Sequence, residues 1–145
     1  MRGVAAVEFG LMLPILILLF FGIVEYGRML YQYNTLVKSV RDGARYISVY
    51  SPLDMTNYST HLDEAKKLVV FGNKKGSGSA LVAGLNENMV YITSVTQTTI
   101  ALVPISVKTV TVAIKGFSLG YITKYFTSIP LSFGGISITM RQAES

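Results

Sequence analysis

Few residues of this 145-residue chain could do chemistry, since it has one His and no Cys. The absence of Cys excludes disulfides, thiolate chemistry and zinc sites built from Cys. The lone His61 leaves no His pair for a metal and little room for a Ser-His-Asp triad. Ser59 and Asp63 lie close to it, but residues two apart on a helix do not face each other. We therefore predict a chain that is not an enzyme and holds neither metal nor cofactor.

The overall charge and hydropathy point to a membrane rather than to a nucleic acid. The formal net charge is +5, yet the basic residues do not cluster with stacking aromatics in a recognisable module. We therefore predict no nucleic-acid partner. Charged residues are only 14% of the chain, against roughly a quarter in a typical soluble domain. This composition predicts a membrane-anchored chain with a modest exterior domain.

The acidic residue Glu8 stands out because it lies within an apolar segment, residues 4–24. As a helix, this segment spans roughly 31 Å, about one hydrocarbon core. A charge costs roughly 2.5–3.5 kcal/mol at the centre of such a helix and less near its end. Two interpretations are open. Glu8 either lies among the lipid headgroups, favoured by the helix dipole, or pairs with a free α-amine created by cleavage between Gly3 and Val4.

The apolar segment is predicted to be a retained anchor rather than a cleaved signal peptide. A signal peptide ends in small residues at a cleavage site, whereas this segment ends in Gly22-Ile23-Val24-Glu25-Tyr26. The charge count opposes a cytoplasmic N-terminus, because Arg2 alone precedes the segment and four basic residues follow it (Arg28, Lys38, Arg41 and Arg45). Pro14 removes a backbone donor inside the segment and predicts a helix kink there.

The helix is predicted to continue beyond the membrane and to end near Val49, where Ser51-Pro52 follows. Apolar residues recur at intervals of three and four along this part and form one stripe (Met29, Tyr33, Leu36, Val37, Val40, Ala44 and Ile47). The first half of the helix is apolar all round, whereas the second half needs a partner on one side. This pattern predicts one long helix over residues 4–49 that crosses the membrane in its first half and is covered on one side in its second half.

Residues 50–145 are predicted to form an exterior domain that packs on this stripe. A turn over 54–59 precedes a short helix with Thr60 as N-cap, with a solvated or capping His61 in its first turn, and with Gly72 at its end. A flexible surface loop follows over 72–88.

Three strand-like segments follow the loop, over 89–98, 105–115 and 136–141. The second carries an expected bulge or face exchange between Val107 and Val110. An aromatic connection over 117–129, with Tyr121, Tyr125 and Phe126, joins the last two strands. The predicted fold class is α+β. It comprises a long N-terminal transmembrane helix, a short second helix and an antiparallel sheet of about three strands that packs on the outer half of the long helix.

The N-terminal residues resemble a known family. The sequence Arg2-Gly3-Val4-Ala5-Ala6-Val7-Glu8-Phe9, then Pro14 six residues after Glu8, then Glu25-Tyr26-Gly27-Arg28, is similar to the start of TadE-like pseudopilins. These are minor pilins of the tight-adherence (Flp) type IV pilus system. The later Asp42-Gly43-Ala44-Arg45 and the ending Ile138-Thr139-Met140-Arg141 with Glu144 also resemble the family.

The resemblance implies a specific role for the first residues. A prepilin peptidase would cut between Gly3 and Val4, so that residues 1–3 are the leader. Glu8, with Phe9, would serve processing and subunit registry. The implied partners are this peptidase, other pilin or pseudopilin subunits, the pilus assembly platform and, before assembly, the bacterial inner membrane. The resemblance also implies a cytoplasmic N-terminus and a periplasmic C-terminal domain, and we accept it over the charge count.

A second function class remains open on the sequence. A single-pass receptor or adhesin with a ligand-binding exterior domain has the same anchor and the same composition. Glu8 discriminates between the two classes, because Glu8→Ala should disturb assembly of a pilin-like subunit and leave ligand binding by a receptor intact.

Overall fold

The structure is a computed structural model that describes residues 2–51, 55–100, 104–117 and 135–142. The described elements follow in the order α1 (Arg2–Ser48), α2 (Met55–Phe71), a 3₁₀ turn (Glu87–Met89), and strands β1 (Val90–Ile100), β2 (Pro104–Ile114) and β3 (Ile136–Arg141). The prediction of an α+β fold with a long N-terminal helix and an antiparallel three-stranded sheet is confirmed.

Helix α1 contains 47 residues, which corresponds to a length of about 70 Å. It ends where the sequence predicts, one residue before Val49. The last turn is closed by Ser48, whose hydroxyl donates to the carbonyl of Arg45 at 2.8 Å. The cationic side chain of Arg45 in that turn also complements the helix dipole. Pro14 lies inside α1 without ending it, and the predicted kink there remains a prediction.

Helix α2 begins at Met55, so the predicted turn over 54–59 and the predicted N-cap at Thr60 are wrong. Tertiary packing explains the difference, because Tyr58 packs against the core one turn before Leu62. This contact stabilises an additional helical turn that local propensity does not predict. The predicted end is confirmed. Gly72 follows the helix with φ +73°, and its N–H donates to the carbonyl of Leu68 at 3.0 Å.

The sheet has the order β1-β2-β3 with both pairs antiparallel. The register between β1 and β2 runs without interruption from Val90↔Ile114 to Ile100↔Pro104, so the predicted bulge is wrong. Val107 and Val110 lie on opposite faces because side chains alternate along a strand. The alternation of apolar residues along β2 therefore changes phase because Val107 is an apolar residue on the face opposite to Val110, while the backbone hydrogen bonding between β1 and β2 stays regular.

The inner face of the sheet packs on the outer half of α1, as predicted. The core combines residues from α1, α2, β1 and β2 that are at most 3% exposed (Leu36, Val40, Ala44, Ile47, Ala65, Val69, Val70, Val90, Val110, Val112 and Ile114). The segment predicted as a flexible surface loop also contributes Val82 and Leu85 to this core, so that prediction is wrong for these residues. The predicted aromatic connection with Tyr121, Tyr125 and Phe126 lies largely outside the described residues, as does Glu144.

Candidate assembly site on the exposed helix

The first half of α1 is exposed on every face. Its large apolar side chains between Val4 and Val24 are between 40% exposed, at Leu13, and 73% exposed, at Leu11. Soluble monomers rarely expose an apolar patch larger than a few hundred Å². This surface therefore needs a covering of lipid or of other helices.

The same helix satisfies the length and composition requirements of a membrane span. Over Gly3–Ser48 it contains an 18-residue window with a mean hydropathy of 2.5, none of which is buried. A core helix of a globular protein can be equally apolar, but it is mostly buried. The exposure therefore separates α1 from a core helix, and by its length and composition this segment suits a membrane span.

The residues predicted for processing and registry lie in the first turns of this exposed helix. Val4 is 64% and Phe9 is 60% exposed, and Glu8 and Gly3 are exposed as well. No described residue forms an ion pair with Glu8. Glu8 follows Val4 by four residues, so the two lie on one face of the helix, about 5–6 Å apart at Cβ. A positive charge at the nitrogen of Val4, or at the same place on a neighbouring chain, would be within reach of the Glu8 carboxylate.

Three glycines leave room for close helix packing on this segment. A Cβ built at Gly10, Gly22 or Gly27 meets no other group within 4 Å. Small residues let neighbouring helices approach closely within membranes, where van der Waals packing drives association. These positions are therefore suited to contact with another helix.

The end of the apolar segment has the chemistry of a membrane–water interface. Tyr26 and Tyr31 are 57% and 72% exposed, and aromatic side chains with a polar tip are enriched at this level of a bilayer. Glu25 is buried, and its carboxylate lies 4.0 Å from the guanidinium of Arg28.

A second polar cluster joins α1 to α2 outside this segment. The Tyr46 hydroxyl donates a short hydrogen bond to the Glu64 carboxylate and lies 3.0 Å from Nδ1 of His61. The His61 ring stacks on Tyr50 with centroids 3.6 Å apart, and Lys74 lies over the Tyr46 ring at 4.3 Å. His61 therefore lies inside α2 and is half-buried between the two helices, so the prediction of a solvated or capping histidine is wrong.

Sequence reasoning missed this cluster because its members come from two helices. The available signals were the spacing of three between His61 and Glu64 and the spacing of four between Tyr46 and Tyr50, which place each pair on one helix face. The side of α1 that meets α2 cannot be read from either spacing alone.

The cluster clamps α1 to α2 through side-chain hydrogen bonds and a ring stack. Burial, followed by the hydrogen bond to Glu64, raises the pKa of the Tyr46 phenol far above its ordinary value. The hydrogen bonds from Tyr46 and His61 lower the pKa of Glu64, so its carboxylate stays charged. Within the described part of the chain, no three His, Cys, Asp or Glu residues could hold a metal ion.

The long helix is exposed and apolar in one half and covered by a small α+β domain in the other, an arrangement suited to a membrane-associated chain. The family model described as TadE-like protein matches residues 3–45. This match confirms the resemblance predicted from the sequence: residues 3–45 are similar to a TadE-like protein. It covers both halves of α1 and stops one residue before Tyr46. Searches of curated proteins and of solved structures returned no significant match.

Proposed function

We propose that this chain is a pilin-like subunit of a bacterial tight-adherence (Flp) pilus that supports surface adhesion. Its role is structural, and the only chemistry is one cut made on it by a prepilin peptidase between Gly3 and Val4. The observation that carries this proposal is an apolar half-helix that is exposed on every face within the segment that matches the TadE-like family.

Before assembly, residues 4–24 hold the subunit in the inner membrane. Their length matches one hydrocarbon core, and the exposed Tyr26 and Tyr31 follow at the level of the headgroups. The N-terminus lies in the cytoplasm and the domain beyond α1 lies in the periplasm. This orientation rests on the family resemblance, and the distribution of basic residues alone opposes it.

During assembly, the exposed half of α1 exchanges lipid for the helices of other pilin or pseudopilin subunits on the assembly platform. Cleavage after Gly3 creates a protonated amine at Val4. Glu8 then has a cationic partner on its own or a neighbouring subunit, which fixes the axial register, and Phe9 packs beside it. The exposed position of Glu8 and the spacing of four from Val4 support this role.

Replacement of Glu8 tests the proposal in cells that carry the complete pilus system. A strain without this chain should lose pili and surface attachment, and the wild-type chain should restore both. Glu8→Ala should fail to restore them although the protein remains in the membrane. Glu87→Ala, which removes a carboxylate in the 3₁₀ turn of the domain, is the matched control and should behave as wild type. Full restoration by Glu8→Ala would contradict the proposal.

A further inference from the structure

The outward side of α1 carries one continuous row of exposed residues that passes from the apolar half to the charged half. Its members are separated alternately by three and four positions, and all are exposed (Ile17, Phe20, Val24, Gly27, Tyr31, Asn34, Lys38, Arg41 and Arg45). We call this row the outer seam. A spacing of three and four is the one by which a straight neighbouring helix contacts another along its length.

All charged residues of the outer seam are positively charged. Lys38, Arg41 and Arg45 are exposed, and none forms an ion pair with a described residue. The sheet and α2 occupy the opposite side of α1, where Val40, Ala44 and Ile47 are fully buried. A helix that packs against the apolar end of the seam, if it continues outward, therefore meets three cations.

A second copy of this chain fits the charged end poorly. In a parallel pair in register, the three cations of one copy would face those of the other, and like charges in contact are unfavourable. Helix α1 has only three acidic residues, of which Glu25 is buried and Glu8 lies off the seam. A shifted copy could offer only Asp42 to three cations.

We propose that the outer seam binds a different membrane protein of the same assembly, through a helix that carries Asp or Glu at intervals of three and four. The apolar end of the seam supplies the contact within the membrane, and the cationic end selects the partner and excludes self-pairing. This inference rests on the proposed function, because it names the partner that packs against the exposed side of α1 during assembly.

Photocrosslinking in cells with the complete pilus system tests this inference. The full chain carries the photoreactive residue p-benzoylphenylalanine in place of Tyr31, beside the cationic end, or in place of Ile17, in the apolar half. The expected Tyr31 adduct joins this chain to another membrane protein at a peptide that contains Asp or Glu. Lys38→Glu/Arg41→Glu/Arg45→Glu should reduce its yield about tenfold, since three attractive contacts become repulsive.

The charge-conserving variant Lys38→Arg/Arg41→Lys/Arg45→Lys is the matched control and should keep the adduct. Replacing the crosslinked carboxylates of the partner by Lys should restore the adduct of the charge-reversed chain. The inference is overturned if the Tyr31 adduct is absent, joins two copies of this chain or a lipid, or is insensitive to charge reversal. The Ile17 probe separates the two proposals: an Ile17 adduct to another subunit keeps the proposed function in place, whereas adducts to lipid alone in assembled material contradict it.

Discussion

Gly43 of α1 lies directly against Val69 of α2, where a Cβ on Gly43 would overlap Cγ2 of Val69. The same Cβ would also lie 3.5 Å from the carbonyl oxygen of Ala65. The glycine therefore sets how closely the two helices pack at the base of the domain. This contact gives a physical role to Gly43 in the Asp42-Gly43-Ala44-Arg45 segment.

Substitution of Gly43 should destabilise the domain. Gly43→Ala forces α2 away from α1, and overpacking of this kind costs about 1–3 kcal/mol. Gly27→Ala, at a helical position with open space around it, should leave stability unchanged or raise it by up to about 1 kcal/mol through helix propensity. Denaturant unfolding of the full chain in detergent, followed by circular dichroism, measures both. Equal stabilities of the two variants would contradict the role of Gly43.

Removal of the Tyr46 hydroxyl should weaken the clamp between the helices. Tyr46→Phe keeps the ring but loses the hydrogen bond that the hydroxyl donates to Glu64 and its polar contact with His61 Nδ1, a loss of about 1 kcal/mol in unfolding free energy. Tyr91→Phe, at a half-exposed ring on the sheet, should change it by less than about 0.5 kcal/mol. The same unfolding assay compares them. A Tyr46→Phe chain as stable as the Tyr91→Phe chain would show that the clamp carries no stability.

The contacts of Glu64 in this clamp should also make the stability of the folded chain depend on pH. The pKa of Glu64 is lowered in the folded chain, first by the Tyr46 hydrogen bond and then by His61. Its contribution is therefore present above the ordinary carboxyl pKa of about 4.3 and is lost as the pH falls through the lower folded value. The melting temperature of the wild type should exceed that of Glu64→Gln at pH 7, and the difference should shrink below about pH 4. A difference that stays constant with pH would contradict this assignment.

A charge on the exposed half of α1 should disturb membrane association without affecting the fold. Leu18 is 71% exposed, and Asp near the centre of a membrane helix costs roughly 2.5–3.5 kcal/mol. Leu18→Asp should therefore be released from membranes by alkaline carbonate, whereas Val49→Asp, at a 67% exposed site beyond the segment, should be retained. Retention of both variants would mean that this half-helix is not in the bilayer.

The parts of the fold that the sequence predicted are those governed by local periodicity. The apolar stripe from Met29 to Ile47 has a helical period, and its residues are buried as expected except for Tyr33 and Val37, which are half-buried. The Val- and Thr-rich segments alternate as strands do, so the sheet was also predictable. The end of α2 was predictable because Gly72 adopts a backbone conformation that favours glycine.

The parts that the sequence did not predict depend on contacts between distant segments. The early start of α2 follows from the packing of Tyr58, and the burial of Val82 depends on how the loop folds back over the core. The Tyr46–His61 contact joins residues fifteen positions apart on two helices. The periodicity shows which face of α1 is covered but not which side chains of α2 or of the loop contact it, and so these features could be found only in three dimensions.

The most direct test of the pilus assignment is the mass and N-terminal sequence of this chain taken from assembled pili or pilus complexes. We predict that the chain begins at Val4, because cleavage after Gly3 creates the amine that pairs with Glu8. A chain in fully assembled material that still carries Met1 and the residues before Val4 would contradict the account.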